Sequence, residues 1–144
     1  MQEIAILDFG SQYTHLIARR VRELGVVSHI YPNDVPADEL SDAWGIILSG
    51  GPKSVLADDR LAYDPKLLEL GKPILGLCYG HQLIAQHFGG KVSKGAAREY
   101  GLAQLVIGNQ QSVIFSECTS LTTVWMSHGD HVEILPFGFQ QIAT

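Results

Sequence analysis

A chain of 144 residues, 46% hydrophobic and 17% charged, is enough for one domain with a covered sheet and too short for two catalytic domains. Ten Lys and Arg against fifteen Asp and Glu leave a formal charge of -5, and no stretch concentrates cations, which argues against a nucleic-acid surface. The apolar runs fall far short of the roughly 20 residues of a bilayer span, and Cys78 and Cys118, without metal-ligand spacing or a leader ahead of Ile4, fit a reducing, cytoplasmic setting.

Glu3 to Phe9 is an apolar run that predicts a buried first strand. Gly10-Ser11 turns the chain with Ser11 as N-cap, and Tyr13, Leu16, Ile17, Val21 and Leu24 share one helical face before Gly25 stops it. Val26 to Tyr31 predicts a second strand, so the three elements form a βαβ unit and imply a parallel sheet. His29, inside that strand, reads as a core or sheet-end histidine. Asp34 to Ser41 predicts a short helix, and Trp44 to Leu48 a third strand.

That strand ends in Ser49-Gly50-Gly51-Pro52-Lys53-Ser54, placed where ligands bind in open α/β sheets. Three readings apply. It is a plain turn, a pyrophosphate loop like those of ATP pyrophosphatases, or a loop whose Gly51 N–H serves as an oxyanion donor. Lys53, where those phosphate loops usually carry Asp, and Pro52, which removes an N–H, favour the third.

A helix from Asp64 or Pro65 to Leu70 precedes the stretch from Pro73 to Gln82, where an apolar strand runs into Gly76-Leu77-Cys78-Tyr79-Gly80 and then into helical spacing as far as Phe88. Glycines two positions before and after the Cys let backbone approach closely. The positive end of a helix favours a thiolate at Cys78, and the Tyr79 N–H stands where the elbows of Ser hydrolases place an oxyanion donor. A lone Cys is ordinarily a core residue. The Gly-x-Cys-x-Gly setting after an apolar strand reverses that reading.

Beyond Gly90 the texture changes. Lys91 to Ser93, Leu102 to Ile107, Val113 to Phe115, Thr122 to Met126 and Phe137 to Ala143 predict short strands of an antiparallel meander. Arg98-Glu99-Tyr100-Gly101 reads as a surface turn, and Trp125-Met126-Ser127-His128-Gly129-Asp130 as a strand ending in a polar Gly-Asp turn. The six His, with His81 and His87 six apart and His128 and His131 three apart, do not make a metal site.

Gly76-Leu77-Cys78-Tyr79-Gly80-His81-Gln82 resembles the class I, triad-type glutamine amidotransferases. More narrowly the chain is similar to the glutaminase domains of GMP synthetases, through Leu7-Asp8-Phe9-Gly10-Ser11-Gln12-Tyr13, Ser49-Gly50-Gly51-Pro52, Arg98-Glu99-Tyr100-Gly101 and Trp125-Met126-Ser127-His128-Gly129-Asp130. The resemblance implies an α/β, flavodoxin-like, open and mostly parallel sheet flanked by helices, with the antiparallel meander in the C-terminal part. It implies that Cys78 attacks the glutamine side-chain amide, that the N–H groups of Gly51 and Tyr79 form the oxyanion hole, and that Gln82, Ser127, His128 and Gly129 hold the glutamine. Ammonia would then serve a synthetase domain or subunit of the ATP pyrophosphatase type, in which ATP and Mg are used to convert XMP to GMP. No cofactor, metal, nucleic acid or membrane is implied for this domain.

The family takes its general base and orienting carboxylate from a His-Pro-Glu motif, which these 144 residues lack. The chain therefore reads as one amidotransferase domain over 1–144, truncated before its last catalytic strand and inactive or nearly so alone. Two other readings compete: a Cys hydrolase of the peptidase or DJ-1-like type, and a non-catalytic docking fragment.

Overall fold

A computed structural model describes residues 3–109 and 112–144, with the backbone alone over 96–100. Four parallel strands form the main sheet: β1 (Ile4–Asp8), β2 (Ser28–Pro32), β3 (Gly45–Leu48) and β4 (Ile74–Gly76), in the spatial order β2-β1-β3-β4. β1 and β3 are interior strands with both faces covered, which is why they read as unbroken apolar runs rather than as alternation. Ile4 pairs with Ser28 on one side and Gly45 on the other, and Ile46 pairs with Ile74.

Side chains at alternate positions of these strands define two layers. Ala5, Leu7 and Phe9 join Ile46, Leu48, Val55, Leu67, Tyr79 and Leu83 in the main core, which the helix α2 (Tyr79–His87) covers. Ile6 is also fully buried but lies outside that cluster, on the side of the helix α1 (Thr14–Glu23). No helix among the described residues is long and apolar enough to cross a membrane.

α1 departs from its predicted face. Thr14 and Ala18 are its buried residues, whereas Tyr13, Leu16 and Leu24 are exposed and Ile17 and Val21 half-buried. Small side chains let the helix lie close on the sheet, and Thr14 fits there because its hydroxyl donates to Asp8 Oδ1 at 2.8 Å. Ser11 is not the N-cap. Tyr13 holds that position, and the Ser11 hydroxyl instead accepts the Tyr13 N–H at 3.1 Å, closing a tight turn one step earlier. The short helices predicted over 34–41 and 64–70 are 3₁₀ turns, Ala37–Leu40 and Pro65–Glu69, the second opened by Asp64 accepting from the Lys66 N–H.

The C-terminal part is an antiparallel ribbon of two long strands, β5 (Lys91–Val106) and β6 (Leu121–Ile134). The predicted turn at Arg98–Gly101 lies within β5, whose register against β6 shifts between Lys94 and Glu99. A bulge keeps the strand going where Gly and charged residues look like a stop. The predicted Gly-Asp turn likewise lies inside β6. Val113–Phe115 is a 3₁₀ turn rather than a strand, and of the predicted 137–143 strand only the end pairs, through an Ile107–Ala143 bridge and mutual Val106 and Thr144 backbone bonds of 2.6 and 2.9 Å.

Candidate active site

The strand order places the reversal of chain direction across the sheet between β1 and β3, and ligands of open α/β sheets bind beyond the carboxyl ends of strands at such points. Three loops leave those ends here: Phe9–Ser11 after β1, Ser49–Ser54 after β3, and Leu77-Cys78 after β4.

Cys78 is the pivot. It is exposed, it occupies the N-cap of α2, and its φ of 48° with ψ of -107° makes it the only described non-glycine residue at positive φ. Such a conformation costs on the order of 1–3 kcal/mol and persists only where packing enforces it. The enforcing contacts are on either side. A Cβ on Gly76 would stand 2.6 Å from the Gly80 carbonyl carbon and the His81 nitrogen, and one on Gly80 would stand 2.4 Å from the Leu48 carbonyl oxygen. Only glycines allow strand, elbow and helix to close this tightly.

The β3 loop is fastened to the same point. Leu77 N–H donates to the Leu48 carbonyl at 3.0 Å and Gly80 N–H to the Ser49 carbonyl at 3.2 Å. Ser49, fully buried, accepts the Phe9 N–H and donates to the Gly50 carbonyl, both at 2.9 Å, so the loops after β1 and β3 share one hydroxyl. A Cβ on Gly50 would touch Cys78 Cβ at 3.4 Å, and one on Gly51 would meet the Phe9 carbonyl oxygen at 2.3 Å. Among the described residues, neither the Gly51 nor the Tyr79 N–H donates to a protein acceptor.

All seven residues singled out from the sequence, Gly51, Cys78, Tyr79, Gln82, Ser127, His128 and Gly129, line one cleft of about 530 Å³. Tyr79 contributes its backbone there. Its ring is buried 5.1 Å from Phe9, its hydroxyl accepts the Leu61 N–H, and burial raises its pKa above the usual phenol value. Gln82, also buried, gives its side-chain N–H to the Asp130 carbonyl at 2.9 Å, so part of its hydrogen-bonding capacity is committed to the cleft wall. Ser127, His128 and Gly129 lie on β6. His81, at the start of α2, is exposed overall. Desolvation of its ring, aided by the nearby charge of His128, still holds its pKa below the usual imidazole value, which keeps it neutral at pH 7.

Two features of the cleft were missed in the sequence. Ser54 hydrogen-bonds the Asp130 carboxylate, tying the β3 loop to the ribbon across 76 residues, and Ser49 braces the loop from beneath. Nothing local marks the first; a buried Ser before a Gly pair is the only signal for the second.

An elbow cysteine, two open N–H groups and a ribbon of small polar residues in one cleft are the arrangement expected for acyl transfer from an amide. The sequence model of the glutamine amidotransferase class-I family matches residues 5–144. The chain belongs to that family. This amidotransferase is 51% identical over 143 residues to the glutamine-hydrolysing GMP synthase of Bacillus mycoides (strain KBAB4) and 52% identical over 143 residues to that of Aliarcobacter butzleri (strain RM4018). Each alignment covers 98% of this chain and 28% of the relative, so the chain spans a little over a quarter of the length of these proteins. Among solved structures, a protein described as a GMP synthase subunit from Thermoplasma acidophilum superposes with a TM-score of 0.88 at 38% identity, over 99% of this chain and 72% of the other. A glutamine amidotransferase from Thermotoga maritima, at 20% identity and a TM-score of 0.76, shares the fold over 100% of this chain and 66% of its own. The flavodoxin-like α/β class expected from the sequence is the one found, and class-I membership sets aside the peptidase or DJ-1-like hydrolase.

Proposed function

We propose that the amidotransferase domain hydrolyses glutamine at Cys78 and supplies the ammonia to an ATP-dependent synthetase domain or subunit that aminates XMP to GMP. The observation that carries this reading is the strained, exposed Cys78 at the N-terminus of α2, beside the two open N–H groups of Gly51 and Tyr79. The thiolate adds to the carboxamide carbon, and the oxygen that takes up the charge receives hydrogen bonds from Gly51 and Tyr79. The C–N bond then breaks as the nitrogen takes a proton and leaves as ammonia. Water adds to the resulting thioester, the C–S bond breaks, and glutamate leaves with the thiol restored. Gln82, Ser127, His128 and Gly129 hold the amino-acid end of the substrate.

Both proton transfers need a positioned carrier. The His-Pro-Glu motif that supplies it in the family is not among these 144 residues, and the 144-residue chain is accordingly a domain competent for binding and alkylation and poor in turnover. ATP and Mg belong to the synthetase step. The similarity to GMP synthases more than three times as long supports that partnership.

The test is labelling by a diazoketone isostere of glutamine followed by peptide mass mapping. Modification confined to Cys78, protected by glutamine and abolished in Cys78→Ala, is the expected result. Equal modification of the exposed Cys118, or no protection by glutamine, refutes the reading.

A further inference from the structure

The oxyanion loop runs through two consecutive glycines, Gly50 and Gly51, which carry no side chain to anchor them. The direction of the Gly51 N–H is therefore set by how the two ends of the loop are held. The near end is held at Ser49, whose hydroxyl accepts the Phe9 N–H and whose carbonyl accepts the Gly80 N–H. The far end is held at Ser54. Its hydroxyl accepts the Leu56 N–H at 3.1 Å and donates to the Asp130 carboxylate on β6, while its carbonyl accepts the Ala57 N–H at 3.2 Å. Val55, fully buried, fixes where the chain enters the core and leaves the turning of the peptide planes ahead of Ser54 to that bond.

Asp130 has a second attachment. Its carbonyl accepts the Gln82 side-chain N–H at 2.9 Å, so one residue of the ribbon reaches the oxyanion loop through its side chain and the helix α2 through its backbone. Lys53, the cation of the loop itself, is paired with Asp59, and the link from loop to ribbon is a hydroxyl on a carboxylate rather than an ion pair. The charge of Asp130 does not help the reaction. In a cleft where negative charge develops on a substrate oxygen, a neighbouring anion raises the barrier. What the carboxylate offers is an acceptor at a fixed place, and a hydroxyl donating to an ionised acceptor is among the stronger hydrogen bonds.

We propose that Asp130 is a positioning residue for the acylation step: its carboxylate holds Ser54 and, through Ser54, the orientation of the Gly51 N–H that meets the oxyanion. The proposal rests on the glutaminase reading and deepens it. Asp130 touches no reacting atom, and a change of its side chain severs the arm to the loop while the backbone arm to Gln82 stays.

The test uses the γ-(4-nitrophenyl) ester of glutamic acid on the 144-residue chain. Its leaving group departs as a phenolate and needs no proton donor, so acylation is seen apart from the steps that require a proton carrier. The Cys78 thiolate adds to the γ-carbonyl carbon, the C–O bond breaks, and thioester and 4-nitrophenolate appear in equal amounts. The burst of phenolate, followed against ester concentration, gives a limiting rate and a half-saturating concentration. Ser54→Ala and Asp130→Ala should each lower the limiting rate about tenfold. This is less than the roughly 10²-fold that misplacing a catalytic group by about 1 Å can cost, because Ser49 still holds the near end. The half-saturating concentration should hold, since both variants keep the carbonyl that Gln82 uses. The double variant should lose no more than either single one, because both remove the same bond. Asp130→Asn keeps an acceptor oxygen without the charge and should restore the rate. An unchanged limiting rate in both single variants, whatever their urea midpoints, overturns the assignment. So do losses that multiply in the double variant, a loss that falls on the half-saturating concentration, or an Asp130→Asn protein as slow as Asp130→Ala. Absence of a burst in wild type, or a burst that persists in Cys78→Ala, overturns the glutaminase reading and this assignment with it.

Discussion

Gly80→Ala isolates the close approach that sets the elbow. Gly80 is helical and not at positive φ, so a methyl group there carries no backbone strain, and helix propensity alone favours Ala by about 0.5–1 kcal/mol. Sterics oppose it. The added Cβ would lie 2.4 Å from the Leu48 carbonyl oxygen and 2.5 Å from Leu48 Cβ, where ordinary contact begins at 3.4 Å. Neither atom can swing aside, because Leu48 is fully buried in β3 and its carbonyl accepts the Leu77 N–H. Relief requires α2 to move off the sheet by about 1 Å, and overpacking of this kind costs about 3 kcal/mol. The net expectation is a loss of about 2 kcal/mol, read as a fall of roughly 1 M in the urea midpoint. Gly71→Ala is the control: at φ +67° with no atom within 4 Å, it costs about 1 kcal/mol through its conformation only. Cys78 labelling should slow in Gly80→Ala and not in Gly71→Ala. A Gly80→Ala protein with a urea midpoint equal to or above wild type refutes the argument.

Glutaminase assays should give turnover at least about 10²-fold lower for the 144-residue chain than for a version continued through a His-Pro-Glu strand, and equal rates would place the proton carrier within these residues. Ser49→Ala should cost about 1–3 kcal/mol in urea melts, since it strands the Phe9 N–H and the Gly50 carbonyl in the core, and a change under 0.5 kcal/mol would deny the brace. At the other end of the sheet, burial pushes the Glu3 carboxyl up, but hydrogen bonds from Tyr31 and His29 and the His29 charge outweigh it, so its pKa lies below the usual 4.5. That contribution to stability is complete above the ordinary carboxylate value and disappears as pH falls through the lowered one; urea midpoints of Glu3→Gln and wild type should therefore differ at neutral pH and converge in acid. The hydrogen bond to Glu3, then burial, pushes Tyr31 up to about 12, so its contribution is complete below pH 10 and lost by about pH 12, and a phenol titrating near 10 in the absorbance of the folded protein would contradict this.

The parallel half of the molecule was legible because interior strands must be continuously apolar and the elbow must be glycine-flanked. Both properties are local. The face of α1 misled, because it is judged by large apolar residues, whereas contact with a sheet is made here by Thr14 and Ala18. The ribbon misled for the opposite reason: Arg98 to Gly101, read as a surface turn, is absorbed into a bulged strand whose continuity depends on a partner some 30 residues away. In the cleft, the elbow announced itself in five residues, while the Ser54 and Gln82 bonds to Asp130 exist only once the ribbon has folded back over the loop.

The N-cap of α2 lacks a side-chain cap and sits at a φ that glycine or asparagine would occupy with less strain. Folding and reactivity therefore exert opposed selection on this single codon. A library randomised at position 78 and sorted only for soluble, folded protein should shed cysteine within a few rounds and enrich Gly, Asn and Asp. The same library sorted for capture of a glutamine isostere should return cysteine alone. The codon for Cys78 is held against a standing gradient of stability, and a lineage that stopped using the amide would lose it early.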